Sequence, residues 1–155
     1  MDVVTDTKLL EREILIAATP ETVWELLVDP DQIIRWMGQA ATLDLRCGGR
    51  YRVEVIPGHI ASGEFVEIDA PRRLVYTWGW ERPNSPVPSG STTVIFELKP
   101  HSNGTLLRFS HHDLPSSETV ASHTHGWNHY LARLTQVATG VDPGDDPWVT
   151  NPMRE

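Results

Sequence analysis

Two adjacent histidines are the side chains best placed for acid–base chemistry. His111 and His112 precede Asp113 at the end of a strand-like segment. An unperturbed imidazole titrates near neutral pH, so either could act as a general base in a cavity. Neighbouring side chains of a strand point to opposite faces, so only one of the two can face inward. The default interpretation is a core histidine with satisfied hydrogen bonds, and His111 and His112 are the catalytic candidates.

A second histidine pair has the spacing of metal ligands. His125 and His129 are four residues apart and share a helix face, but zinc needs further converging ligands. The sequence has no HExxH motif and no cysteine pair. We therefore predict no metal and no cofactor. The lone Cys47 precedes Gly48 in a predicted turn, where we expect it to be exposed and inert because it lacks an activating partner.

Other catalytic arrangements find little support in the sequence. Glu64 and Glu67 would lie on opposite faces of one strand, so they cannot form an acid–base pair. No Ser-His-Asp order, phosphate loop or dinucleotide fingerprint is present. Catalysis is therefore not assured by any motif.

Aromatic residues indicate a space rather than a reaction. One ring alone is more often part of a core, but a set of rings favours partial lining of a pocket, because pockets are mainly apolar. We expect Trp36 and Met37 at the cavity mouth, with Trp127 and Tyr130 facing a central strand. The predicted ligand-binding residues are Trp36, Met37, Trp78, Trp80, Phe96, Phe109, His111, Trp127, Tyr130 and Leu131.

The helices and strands that position these residues are predicted from hydrophobic periodicity and from capping and turn residues. A first strand is predicted over residues 8–17, and Thr19 before Pro20 is a suitable helix N-cap. A first short helix ends at Asp29, and a second is predicted at residues 31–37. Short connections between the strands favour an antiparallel meander. The remaining strands are predicted at residues 42–46, 50–56, 62–68, 73–80, 92–98 and 106–110.

One long amphipathic helix closes the chain. Apolar residues recur from Val120 to Ala138 at three- and four-residue steps, which is typical of one buried stripe. Gly126 inside this helix costs about 1 kcal/mol relative to alanine, and we expect close approach of another backbone to compensate. The proline-rich segment 81–89 is predicted to be a long exposed loop. We assign the domain to residues 8–140 and an extended tail to residues 141–155.

Composition and charge bound the class of protein. A chain of 155 residues is one domain by size. A formal charge of −8 argues against nucleic acid and anionic membrane partners. A single cysteine fits a reducing compartment, and no signal peptide or membrane-spanning run is visible. We expect a cytoplasmic location.

Several short motifs, taken in order, carry a family resemblance. The chain resembles the START-like superfamily (SRPBCC, helix-grip fold) over about residues 10–138, and within it the family named after the activator of the heat-shock-protein-90 ATPase. Cys47 departs from it, standing where the family often has proline. The motifs are Ala18-Thr19-Pro20-Glu21-Thr22-Val23-Trp24, Arg35-Trp36-Met37, Asp44-Leu45-Arg46-Cys47-Gly48-Gly49-Arg50-Tyr51, Gly63-Glu64-Phe65-Val66-Glu67-Ile68, Pro71-Arg72-Arg73-Leu74-Val75-Tyr76-Thr77-Trp78 and Gly126-Trp127 with Leu131 and Leu134.

The resemblance implies a fold but no chemistry. The expected fold is α+β: a curved antiparallel sheet of about six or seven strands wrapped around the long C-terminal helix, with two short helices after the first strand. An apolar cavity is expected between helix and sheet. The family has no universal catalytic motif, so function must be argued from the site.

Three functions stay open on the sequence. The first is binding of a hydrophobic or aromatic small molecule, which could also serve a ligand-sequestering role. The second is an enzyme of the polyketide cyclase/dehydratase type that uses a cavity histidine or carboxylate as base. The third is a chaperone ATPase-activating module, which is disfavoured because the chain has no additional partner-binding domain. A homodimer is also left open.

Overall fold

A computed structural model of the protein describes residues 9–151. Strand β1 (Leu10–Ile16) is followed by helices α1 (Pro20–Val28) and α2 (Pro30–Ile33). The helix α3 (Ser117–Ala138) comes last. The other strands are β2 (Ala40–Leu43), β3 (Arg50–Ile56), β4 (His59–Asp69), β5 (Arg73–Trp78), β6 (Thr92–His101) and β7 (Gly104–His112). The α+β fold predicted from the sequence is confirmed.

The strands form one antiparallel sheet of seven strands in the order β1-β7-β6-β5-β4-β3-β2. Register shifts interrupt the β3–β4 pairing between Glu54 and Ile56 and the β4–β5 pairing between Phe65 and Glu67. Bulges of this kind bend a strand and increase its twist. Both lie in the β3–β5 part of the sheet.

Local capping explains where the helices begin. The Thr19 hydroxyl accepts a hydrogen bond from Thr22 N–H at α1, as the sequence predicts. At α3 the cap is Ser116, whose hydroxyl accepts from Thr119 N–H in a reciprocal capping box. Each cap satisfies an N–H group that would otherwise lack a partner in the first turn.

The second short helix differs from its predicted bounds. It begins at Pro30, with Asp29 accepting a hydrogen bond from Asp31 N–H, and its last helical residue is Ile33. Residues 34–36 continue as turns, because the Trp36 indole N–H donates to the Leu26 carbonyl at 2.7 Å and draws this segment back onto α1. Trp36 is therefore buried against α1.

The segment after β5 is attached to the sheet more closely than a free loop would be. Trp80, predicted within a strand, forms isolated bridges with Ala61 and Pro88 instead. Val87 is only 1% exposed. The residues around it are mostly exposed, as the sequence predicts, so the segment is a surface loop with one apolar anchor.

Residues 141–151, predicted as part of an extended tail, turn back along α3. Arg133 donates to the Gly144 carbonyl at 2.8 Å, and Tyr130 donates to Asp146 at 2.6 Å. Trp148 stacks on His129 with ring centroids 3.7 Å apart. These side-chain contacts hold the segment against α3. The local sequence, which is rich in proline and aspartate, does not predict them.

Candidate functional site

A cavity of about 330 Å³ lies between α3 and the β3–β5 part of the sheet. Such a volume is near the lower end of the range for small-molecule sites. Helix α3 contributes one wall, the ends of β3 and β5 another, and the loop after β5 and Trp148 border the rest. The lining residues are Met37, Val55, Ile56, His59, Trp78, Trp80, Arg82, Pro86, Val87, Thr119, Ser122, His123, Gly126, Trp127, Tyr130 and Trp148.

Aromatic rings dominate the wall and contact one another. Trp78 lies against Trp127 with ring centroids 5.1 Å apart, and edge-on against Trp80 at 5.4 Å. The Trp80 indole N–H donates to His123 Nε2 at 3.1 Å. Offset and edge-to-face contacts of this type hold rings in defined orientations. The tryptophans therefore form a rigid, largely apolar wall.

His123 serves as a polar link within that wall. Its Nδ1 lies 2.8 Å from the Thr119 carbonyl, which can only accept, so Nδ1 carries the proton. Nε2 is then the acceptor for Trp80. Both ring nitrogens are engaged in orienting the neighbouring groups.

His111 is the inward member of the adjacent pair and lies beneath the cavity. Its Nδ1 accepts from Trp127 Nε1–H at 3.1 Å, and its Nε2 lies 2.8 Å from the Thr92 hydroxyl. That hydroxyl donates in turn to the Trp78 carbonyl at 2.7 Å. The chain of donors and acceptors is complete only with a neutral ring protonated at Nε2. His112 lies on the other face of β7, 2.9 Å from Ser110 Oγ.

Burial makes His111 unsuited to accept a proton. Burial, together with the smaller effects of the nearby His123 and His112, lowers its pKa to about 2. Both nitrogens already have partners. This geometry fits a core histidine, the default interpretation of the sequence.

The buried neutral His111 predicts a pH-dependent stability. Its pKa in the folded protein lies below the ordinary value of 6.5, so the unfolded chain binds the extra proton. The stabilising contribution is complete above about pH 6.5 and is lost as the pH falls toward the folded value. We expect the free energy of unfolding, measured with urea, to fall by about 2 kcal/mol from this group between pH 7.5 and about pH 5.

Two variants isolate that effect. His111→Gln removes the titrating group and should flatten the pH dependence, although it lowers stability at neutral pH through the lost hydrogen bonds. His112→Gln is the matched control on the opposite face of β7 and should keep the wild-type pH dependence. A His111→Gln protein with an unchanged pH dependence would contradict the assignment.

The loop after β5 is tied to β3 by an ion cluster. Arg52 holds Glu81 through two hydrogen bonds of 2.9 and 3.0 Å, and Arg50 adds a third at 3.1 Å. The hydrogen bonds from Arg52 are the main cause that lowers the pKa of Glu81 to about 2, despite the opposing effect of desolvation, and the positive charges of Arg52 and Arg50 contribute. The cluster fixes the position where the loop leaves the sheet.

Asp146 anchors the returning C-terminal segment against α3. It accepts from the Tyr130 hydroxyl and the Trp148 N–H, and lies 2.9 Å from His129 Nε2. Burial by itself would raise the pKa of Asp146, but hydrogen bonds from Tyr130, Trp148 and His129 outweigh it and hold the pKa below its ordinary value. Through this carboxylate, Trp148 is placed at the cavity.

The structure brings together half of the predicted ligand-binding residues. Met37, Trp78, Trp80, Trp127 and Tyr130 line the cavity. The others are buried elsewhere: the Phe96 and Phe109 rings pack beneath Trp127, and Leu131 lies in the core. Trp36 borders a second cleft on the far side of Met37. Ligand contact by any of these residues stays a prediction.

Several lining residues escaped the sequence analysis. Val55 and Ile56 were readable as strand residues, but their place at the cavity depends on the bulge beside them. Arg82 and Val87 lie in a segment interpreted as solvent-exposed, and Trp148 in one interpreted as extended. For Val87 and Trp148 the sequence offered one weak signal, which was an apolar or aromatic residue next to prolines.

The second histidine pair and the cysteine do not come together as a metal site or a catalytic site. His129 pairs with Asp146, and the His125 ring lies 5.2 Å from that of Trp148. Within residues 9–151, no three histidine, cysteine or acidic side chains gather as metal ligands. Cys47 is exposed, as predicted. No helix among the described residues has the length and hydropathy to cross a membrane.

Solved structures share this architecture. The solution structure of an AHSA1-like protein from Rhizobium etli is 42% identical, with a TM-score of 0.73, and the match covers 95% of this chain and 91% of that one. CalU16 from Micromonospora echinospora is 28% identical, with a TM-score of 0.73 over 95% of this chain and 72% of that one.

A third structure shows the fold alone. The Aha1 dimer from Colwellia psychrerythraea is 17% identical, with a TM-score of 0.74 over 89% of this chain and 98% of that one. That relative is a dimer; for the present chain a homodimer stays a prediction. No curated protein matches the sequence.

The family assignment rests on a match to most of the chain. The family model described as activator of Hsp90 ATPase homolog 1-like protein matches residues 17–139, which run from the end of β1 through α3. The resemblance stated from the sequence motifs is thereby confirmed, and the chain belongs to the AHSA1 family with its START-like, helix-grip fold.

Proposed function

We propose that the protein binds a small hydrophobic or aromatic molecule in the cavity between α3 and the sheet. The observation that carries this proposal is the wall of five aromatic side chains around about 330 Å³ of space. Apolar walls with a few placed polar groups are the common form of small-molecule sites. The aromatic set is Trp78, Trp80, Trp127, Tyr130 and Trp148.

One tryptophan of the same wall carries a buried donor without a partner. Trp78 Nε1 is the one buried side-chain nitrogen or oxygen in residues 9–151 without a hydrogen-bond partner. Leaving a buried donor unpaired costs about 1–3 kcal/mol. The nitrogen itself has almost no accessible surface, so a ligand oxygen would recover this cost only after a shift of the Trp78 ring.

The state of the two buried histidines supports binding over catalysis. A general base needs a free nitrogen and a pKa near the working pH. His111 and His123 each use both ring nitrogens in contacts with neighbouring groups. A cyclase-type reaction at either ring would have to break contacts that hold the tryptophan wall in place.

Binding is tested with N-phenyl-naphthylamine, a neutral aromatic reporter that fluoresces in apolar surroundings. We expect saturable fluorescence with a dissociation constant of about 1–100 μM, excited in part by energy transfer from the cavity tryptophans. Mass spectrometry of the recovered reporter should show an unaltered molecule. Absence of saturable binding to the folded protein would overturn the proposed function, and a modified molecule would favour an enzyme.

A further inference from the structure

Arg82 is an unpartnered cation at the cavity. Its side chain is exposed and lines the space, and it has no hydrogen bond or ion pair with any residue between positions 9 and 151. Every other arginine in that range has a side-chain hydrogen bond. These are Arg12, Arg35, Arg46, Arg50, Arg52, Arg72, Arg73, Arg108 and Arg133.

The lining contains no carboxylate to neutralise this cation. No aspartate or glutamate is among the residues that border the cavity, and Arg82 is the only arginine or lysine among them. The chain as a whole carries a formal charge of −8. An unpaired positive charge at an apolar cavity of an acidic protein therefore stands out against its surroundings.

The backbone around Arg82 is held in place, although its guanidinium is not. The preceding residue, Glu81, is clamped by Arg52, and its N–H donates to the Ile60 carbonyl at 2.8 Å. On the other side, the Arg82 carbonyl accepts from Ser85 N–H at 3.3 Å. A cation carried on a fixed loop loses little backbone freedom when it meets a ligand.

A guanidinium is matched to a particular ligand chemistry. Its planar set of N–H donors forms paired hydrogen bonds with carboxylate or sulfonate oxygens, and such charge-assisted bonds are stronger than neutral ones. The tryptophan wall next to it accepts flat rings. The two features together describe a molecule with an aromatic body and one acidic group.

We propose that the cavity selects compact aromatic anions, with the ring system among the tryptophans and the acidic group paired with Arg82. This inference rests on the proposed function, because it names the ligand class of the same cavity. Arg82 is thus a specificity-determining residue rather than one needed for the cavity to exist.

A matched pair of reporters separates the charge from the rings. Anilinonaphthalene sulfonate carries the anion, and N-phenyl-naphthylamine has the same ring skeleton without it. Arg82→Ala should weaken the sulfonate about tenfold, the scale of one partly exposed charge-assisted contact, and change the affinity for the neutral reporter less than about twofold. Arg82→Lys should keep part of the sulfonate affinity because the charge remains.

Controls exclude a general effect of charge or folding. Lys99→Ala removes one positive charge from an exposed position on β6 and should leave both affinities unchanged. Raising salt from about 50 mM to about 500 mM should weaken the sulfonate and spare the neutral reporter. Near-ultraviolet circular dichroism verifies that each variant is folded before titration.

The outcomes of these titrations separate the role of Arg82 from the proposed binding function of the cavity. If the wild-type protein binds neither reporter, the proposed function and the inference both fail. If it binds both and Arg82→Ala leaves the sulfonate affinity unchanged, or weakens both reporters alike, the inference fails and the binding function stands. Selective loss of the sulfonate supports the inference.

Discussion

Gly126→Leu is expected to weaken ligand binding by about a hundredfold or more while the protein stays folded. Gly126 borders the cavity from the middle of α3. Close approach of another backbone to this glycine stays a prediction, and the substitution tests the side of Gly126 that faces the cavity. A branched side chain at this position would occupy the room that a ligand needs. Titration with N-phenyl-naphthylamine measures the loss.

The helix itself should benefit from the same substitution. Glycine inside a helix costs about 1 kcal/mol relative to alanine, and leucine is nearly as good a helix former as alanine. Gly126→Ala is the matched control: it should gain about 1 kcal/mol of stability and keep most of the affinity, because its methyl group takes little space. Unchanged reporter affinity in Gly126→Leu would remove the cavity as the binding site.

The second large effect is expected from Trp127→Ala, which should lower the free energy of unfolding by about 3–5 kcal/mol. The Trp127 side chain is 2% exposed and packs on Phe109 with ring centroids 4.5 Å apart. Its removal leaves a cavity in the core and deprives His111 Nδ1 of its donor. The free energy of unfolding of a native domain is about 5–15 kcal/mol, so this loss would be a large part of it. Urea denaturation measures the change.

Companion variants separate packing from hydrogen bonding. Trp127→Phe keeps a ring but removes the indole N–H, so its loss should be smaller than that of the alanine variant. Trp148→Ala removes a partly buried ring from another border of the cavity and should cost less than half as much, because less apolar surface is buried there than at Trp127. Equal losses for Trp127→Ala and Trp148→Ala would contradict the structural role assigned to Trp127.

The two predictions bear on different layers of one site. Gly126 lines the cavity, and its substitution is expected to act on binding with little cost to the fold. Trp127 joins the cavity wall to the His111 network beneath it, so its substitution acts on both. Collapse of an unoccupied apolar cavity would gain packing contacts, and the hydrogen bonds of the lining, such as that from Trp80 to His123, oppose that collapse.

Local chemistry accounts for what the sequence predicted well. Thr19 before Pro20 marked the start of α1 because a cap hydroxyl and a ring with fixed φ act within a few residues of each other. The apolar stripe of α3 and the alternation of the strands likewise depend on neighbours in the chain. The order of these elements, with the family motifs, was sufficient for the fold.

The candidate site depended less on local pattern. Alternation along β7 established that one of His111 and His112 faces inward, but the inward ring proved to be a hydrogen-bonded support for Trp127. Phe96 and Phe109 were reasonable cavity residues by type, yet they lie one layer deeper. Whether an aromatic ring fills the core or lines the cavity depends on which side chains of α3 pack against it, and these are distant in the sequence.

By itself the sequence determined an α+β domain with an antiparallel sheet, one long helix and an aromatic-rich interior, because capping, periodicity and turn residues act over a few positions. The helix-grip arrangement followed from the family resemblance. Only the tertiary structure decided which rings border the cavity. It also decided that Arg82 stands there without a partner and that Trp148 returns to cover one side. Those facts arise from contacts between residues far apart in the chain, such as Glu81 with Arg52 and Asp146 with Tyr130, and no local pattern encodes such distances.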